Sequence, residues 1–311
     1  MVDLVLERAL HEALDLSGKG SPPVLSEALA YAVFPGGARV RPRLCVEVAR
    51  ACGSPSEVAY VAACSVELLH CASLVHDDLP CFDAADTRRG RPSVHRAYGE
   101  AMAVLVGDGL IVQAFHTLAH GVARRPELGM APLLALIETA GPRAGLVAGQ
   151  AWELEKVVSL TTYHHAKTAS LFECSASLGA LISGVPASPF AELGRAFGMT
   201  YQLADDVADV LADPTTLGKP TGRDLALGRP TAVDTRRSPA SALEELERAV
   251  AKTVDAVPSC PGEAELRRFV RAVFDALGAR IRGPEAHPAA PRLPRLTHCA
   301  PVPHAASSRR E

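Results

Sequence analysis

The chain has 311 residues, 48% hydrophobic, 22% charged and 5% aromatic, with a formal net charge of −3. A pI of about 6.4 leaves no basic footprint of the kind that nucleic acid or an anionic membrane surface requires, so neither is expected as a partner. Period-two Val/Ile/Thr runs are scarce, while Ala and Leu fill the apolar positions, so a mostly helical protein with a sizeable core is expected.

In chain order, amphipathic patterns predict helices over 3–16 and 24–34, separated by Gly18, Gly20, Ser21, Pro22 and Pro23. Pro35-Gly36-Gly37 makes a turn, and helices are expected over 43–52 and 57–78. Pro80 lacks an amide hydrogen and should end or distort the second of these just after Asp77 and Asp78. Further helices are expected over 100–120, 131–141, 144–157, 163–183 and 189–211. Prolines and glycines spread over 213–232 predict a structured loop, and the last helix is expected over 263–282. With no internal repeat and no linker, residues 1–282 read as one helical domain. Residues 283–311 lose all helical period and read as a disordered tail, its three histidines and Cys299 showing no metal-ligand spacing.

Eight cysteines form no C-x-x-C pair and several sit inside apolar helical patterns, as reduced thiols of a cytoplasmic protein would. Asp3 and Glu7 stand where a signal peptide is basic. The longest apolar run, Ala101 to Phe115, is interrupted by Asp108 and falls short of the roughly 18 residues of a membrane span. A cytoplasmic protein without membrane insertion is expected.

The chemistry lies in two aspartate clusters. One is Asp77-Asp78-Leu-Pro-Cys-Phe-Asp83, followed by Asp86, Thr87, Arg88 and Arg89; the other is Asp205-Asp206-Val-Ala-Asp209, preceded by Gln202. Each ends an apolar stretch, where acids do not read as an ordinary solvated face. Carboxylates this close repel one another unless a cation neutralises them, and hard oxygen donors favour Mg²⁺. Asp205 and Asp209 share one helix face, with Gln202 on the same side. On a regular helix Asp83 would point about 120° away from Asp77, so a distortion at Pro80 is needed to unite them. Arg88 and Arg89 offer guanidinium forks suited to phosphate. Weaker anion-binding signals are Gly36-Gly37-Ala38-Arg39-Val40-Arg41-Pro42-Arg43, the pair Lys167-Thr168, and Leu217-Gly218-Lys219 through Asp224 with Arg229.

His70 through Asp83, continued by Arg88-Arg89-Gly-Arg-Pro-Ser-Val-His95, resembles the first Asp-rich motif of trans-isoprenyl diphosphate synthases. Gly198 through Asp209 resembles the second, and the remaining signals fall in the family's order over about residues 25–280. The resemblance implies an all-α bundle around a deep central cavity, usually in a homodimer. It implies Asp77, Asp78 and Asp83 on one wall and Asp205 and Asp209 on the other, with Asp77, Asp83, Asp205 and Asp209 as ligands of about three Mg²⁺ and Asp206 among the catalytic residues. Arg88, Lys167, Thr168, Gln202, Lys219 and Arg229 would contact an allylic diphosphate, and Arg41, His70 and Arg89 isopentenyl diphosphate. Head-to-tail condensation by ionisation, attack and proton loss would follow. Small residues at Ala72 and Ser73, just before the aspartates, would leave room for a C20 chain, with C15 the next choice.

Three departures stand out. Ala38 replaces the family's usual lysine, leaving Arg39 or Arg43 to supply that charge; Glu153 stands for the more frequent aspartate; Arg229 stands for lysine. Ala38 motivates an alternative as the non-catalytic partner of another synthase. A class I terpene cyclase is disfavoured by three aspartates in the second motif, and a di-iron bundle by the single Glu67-x-x-His70.

Overall fold

The computed structural model describes residues 2–15, 21–34, 36–53, 57–155, 159–211 and 239–282. Lys219, Arg229, the 213–232 loop and the 283–311 tail lie outside the described residues. The described chain is helical apart from one two-residue hairpin ladder.

Four helices open the fold: α1 (Val2–Ala13), α2 (Pro23–Val33), α3 (Val40–Ala51) and α4 (Glu57–Asp77). Pro23 begins α2, where the missing amide hydrogen costs nothing. α3 starts three residues before its expected position because Pro42 is tolerated in a first turn. α4 is apolar on nearly every side and forms the centre, packed against α1, α3 and the long α6 (Glu100–Ala123). Between α4 and α6 come a hairpin, β1 (Thr87–Arg88) and β2 (Arg91–Pro92), and the short α5 (Val94–Tyr98). Both were absent from the sequence reading. Arg88 pairs with Arg91, leaving Arg89 and Gly90 as a two-residue turn with φ of 53° and 78°, the positive-φ pair that suits a tight hairpin.

Downstream lie α7 (Ala131–Ala140), α8 (Leu146–Trp152), α9 (Leu160–His164), a π-helical segment His165–Ala169, and α10 (Ser170–Ile182). The helix expected over 144–157 is therefore only seven residues long. It dissolves into turns where Glu153 is drawn toward Tyr163 and Lys167. The helix expected over 163–183 is present as α9, the π segment and α10, opened by Ser159 accepting from the Thr162 amide at 3.5 Å.

α11 (Ser188–Leu211), α12 (Pro239–Asp255) and α13 (Glu263–Arg282) complete the bundle. α12 was missed, although Ala242, Leu246 and Val250 mark its buried stripe at four-residue steps. The Thr200 and Thr253 hydroxyls meet at 2.8 Å between α11 and α12.

The core has two lobes. One gathers α1, α2, α4, α6 and α7; the other gathers α3, α10, α11, α12 and α13 around Phe172, Phe197 and Phe274. These rings pack at a tilt with centroids 5.1 and 4.8 Å apart, and each such buried side chain contributes roughly 1.5–3 kcal/mol. By length and composition α4 and α6 are each apolar enough to cross a membrane, which corrects the expectation that no segment is. An uninterrupted run is broken by one Asp108, whereas a helix average absorbs it. α4 is the buried core helix of this bundle, while α6 keeps an apolar face exposed.

Candidate active site

A cavity of about 800 Å³ opens between the lobes, lined from α3, α4, the hairpin, α8, the π segment, α11 and α13. Its first acidic wall is made by the end of α4. Pro80 stops the helix, and the chain folds back so that the Asp83 amide donates to the Asp77 carbonyl at 2.9 Å. That return removes the 120° separation and puts both carboxylates on the cavity. Burial pushes the Asp77 carboxyl up; Lys167 and a 3.0 Å hydrogen bond from Gln150 pull it down, and Glu153 and Asp83 push it up again.

The opposite wall is α11, whose regular pitch puts Gln202, Asp205 and Asp209 on the cavity. Asp206 does not line it. Its side chain is buried and accepts from Gln202 Nε2 at 2.7 Å, while Gln202 Oε1 accepts from the Thr168 hydroxyl at 2.6 Å. Asp78 is likewise turned away, because consecutive helix positions lie 100° apart. It receives Arg88 through Nη2 at 2.5 Å and Nε at 3.1 Å. Of the five aspartates expected on the two walls, four line the cavity and Asp78 is corrected off its wall; Asp78 and Asp206 hold Arg88 and Gln202 from behind.

Lys167 reaches the cavity from the π segment, one residue before Thr168. Gly149 of α8 makes this possible, since a Cβ there would meet the Lys167 backbone at 2.5 Å. Lys167 also pairs with Glu153, which accepts from the Tyr163 hydroxyl at 2.7 Å. The longer acid at 153 therefore anchors Lys167 and Tyr163.

At the other end, Arg41 lies 4.4 Å over the Phe172 ring, with Nη1 3.4 Å from His70 Nε2. Burial, then Arg41 and Arg89, drive the His70 pKa well below its ordinary value, so the imidazole is neutral at pH 7. Arg89 stands on the hairpin turn beside Gly37. Arg39 does not take over the charge missing at Ala38. At a positive φ of 50° its side chain folds back over Gly36 onto Glu67 (2.5 Å), Glu7 (3.0 Å) and the Val33 carbonyl (2.8 Å). Burial lowers the Arg39 pKa, but Glu67 and Glu7 outweigh it and hold it above normal. Arg43 is buried beneath the Phe269 ring, 3.5 Å from Asp3, and does not line the cavity.

Ser73 lines the cavity and Ala72 does not, being 1% exposed in the core. The expectation pairing them is corrected to Ser73 alone, for the same 100° reason. Gln150, Tyr201 and Arg280 also line the cavity and were missed. Gln150 lies three residues before Glu153, within the segment where the family resemblance already draws attention, but Arg280 has no local motif to announce it.

Residues 22–258 match the polyprenyl synthetase family. The chain is 46% identical over 272 residues to geranylgeranyl diphosphate synthase of Rhodobacter capsulatus, covering 87% of this chain and 94% of that protein. It is also 46% identical to the synthase of that name from Cereibacter sphaeroides, over 86% and 93% of the two chains. Among solved structures, a Helicobacter pylori geranyltransferase complexed with magnesium and isoprenyl diphosphate superposes with a TM-score of 0.75 at 26% identity, covering 88% and 95%. A Pyrococcus horikoshii geranylgeranyl pyrophosphate synthetase gives 0.69 at 28%, covering 86% and 95%. With two aspartate-bearing walls around one cavity and this match over most of its length, the chain belongs to the polyprenyl synthetase family.

Proposed function

We propose that the chain is a Mg²⁺-dependent prenyltransferase that condenses isopentenyl diphosphate head-to-tail with an allylic diphosphate, with geranylgeranyl diphosphate as product. The observation that carries this reading is the convergence of Asp77, Asp83, Asp205 and Asp209, from two elements far apart in sequence, on one cavity also lined by arginines. Four hard oxygen donors fit Mg²⁺, and about three ions is the family's number. When bound, Mg²⁺ would neutralise the charge of the departing diphosphate.

The chain's own groups account for the rest. Arg88, Lys167, Thr168 and Gln202 would grip the allylic diphosphate, with Lys219 and Arg229 completing that set. Arg41, Arg89 and neutral His70 would hold the second diphosphate with its double bond toward the allylic carbon. Cleavage of the allylic C–O bond sends the electron pair to the leaving diphosphate. The double bond then attacks the allylic cation, and the new cation loses a proton to the released diphosphate. Leu74, Leu146 and Leu171 line the cavity with apolar surface that excludes water from the cation. Ser73, small and on the cavity wall, leaves space for the growing chain.

The exposed apolar face of α6 (Val104, Leu105 and Val112), with Met130, Leu134 and Ile137 nearby in sequence, suits a second copy of this chain in a homodimer. Seven free thiols among the described residues suit a reducing cytoplasm. The test is product analysis with isopentenyl diphosphate, Mg²⁺ and C5, C10 or C15 primers. A C20 alcohol after dephosphorylation is expected. A C15 end product would revise the chain length, and no elongation with any primer would sink the enzyme in favour of a partner subunit.

A further inference from the structure

Outside the cavity, one pair of metal-ligating side chains takes no part in the proposed reaction. His116 and His120 stand four residues apart on α6, so the helical repeat puts them on one face, one turn from each other. Their ring centroids are 4.3 Å apart, with the planes tilted by 54°. Both residues are exposed, neither lines the cavity, and neither makes a hydrogen bond or ion pair with any described residue.

The helix beneath the pair is firmly seated. Leu118, between the two histidines, is fully buried, and a Cβ on Gly121 would meet Val61 of α4 at 2.7 Å. This part of α6 therefore presses closely on α4 and turns His116 and His120 outward from a rigid element. One turn further on, Arg124 is held by Glu57 at 2.6 Å, so the cation nearest along this face already has its counter-charge. Nothing among the described residues competes for the ring nitrogens.

We propose that His116 and His120 form a chelating site for one divalent transition-metal ion of the Ni²⁺, Cu²⁺ and Zn²⁺ class. Imidazole nitrogen suits these ions, whereas Mg²⁺ takes oxygen donors, so the aspartate cavity and the α6 pair select different metals. Two histidines at this spacing on a helix supply two of the zinc ligands in H-E-x-x-H sites, so the spacing fits one ion. Among the described residues no group of three or more His, Cys, Asp and Glu side chains is placed to hold a metal. The ion on α6 therefore has two protein ligands, with water in its other positions. Such a clamp spans one helical turn and stabilises the folded chain, because an unfolded chain does not hold the two rings together.

The test uses the full chain, its thiols reduced and Mg²⁺ in excess, with the variants H116A, H120A and the double variant. Ni²⁺ and Zn²⁺ are titrated calorimetrically, and the histidine ring signals of the wild-type chain are followed by NMR as Ni²⁺ is added. Whatever the double variant still binds belongs to other groups of the chain and is subtracted. The remaining step should take one ion per chain, and each single variant should weaken it at least about tenfold, the least that losing even an outer-shell partner costs a metal site. Ni²⁺ should broaden together the two ring signals that disappear in H116A and H120A, while Mg²⁺ leaves them in place. Circular dichroism equal to wild type shows that the variants fold. A wild-type isotherm that superimposes on that of the double variant overturns the site, as does full affinity in either single variant. Half an ion per chain would divide the ligands between two copies and overturn the single-helix site. Ring signals that Mg²⁺ moves as far as Ni²⁺ does overturn the selectivity.

Discussion

At the scale of single residues, neighbours in sequence have opposite surroundings. Asp77 and Asp205 face the cavity, whereas Asp78 and Asp206 face the protein. Asp77→Asn and Asp205→Asn are therefore expected to cut kcat by at least about a hundredfold while leaving the melting temperature near that of wild type. Asp78→Asn should act through Arg88, so its kinetic loss and that of Arg88→Gln should be non-additive in the double variant. Additive losses would show that Asp78 works independently of Arg88. The same contrast separates Ser73 from Ala72. Ser73→Phe should shorten the product toward C15 in a chromatographic assay, while Ala72→Phe should lower stability by about 1–3 kcal/mol through overpacking. Thiols divide in a similar way. Burial pushes the Cys71 and Cys174 thiols up to about 12, so both stay protonated at pH 8, while Cys81 is exposed. Among the described thiols, Cys81 should react first with a disulfide reagent, and Cys81→Ser should remove that phase.

At the scale of elements, the Gly36–Pro42 turn is held by a buried ion pair that local sequence conceals. Arg39 and Glu67 have side chains 5% and 2% exposed, and Glu7 brings α1 into the same network. Removing one partner strands a buried charge, so Glu67→Ala should cost about 3–5 kcal/mol in urea unfolding. A loss below about 1 kcal/mol would mean that water reaches the pair. Helix existence was legible wherever apolar residues recur at three and four positions, as in α4, α6, α7 and α11. The short α8 and the missed α12 were less so. α8 is cut by the pull of Tyr163 and Lys167 on Glu153, which are distant partners, whereas the α12 stripe was present but diluted by the glutamates around it.

At the scale of the molecule, α6 leaves apolar surface uncovered although α4, equally apolar, is enclosed. A charge placed on that face, such as Leu105→Glu or Val112→Glu, should convert the proposed homodimer to monomer in sedimentation analysis without unfolding it. A wild-type chain that sediments as a monomer would remove the dimer.

The sequence by itself determined the helical class, the two aspartate clusters and the cations that accompany them, because periodicity and local spacing are properties of neighbouring residues. It also placed the break at Pro80, whose missing amide acts on its own turn. The tertiary structure decided which aspartates see the cavity, that Arg39 serves Glu67 and Glu7 rather than a substrate, and that Arg280, about 240 residues after the Gly37 turn, stands at the same cavity. Those outcomes depend on how α1, α4, α11 and α13 pack against one another, and no spacing along the chain encodes which groups then meet across the gap.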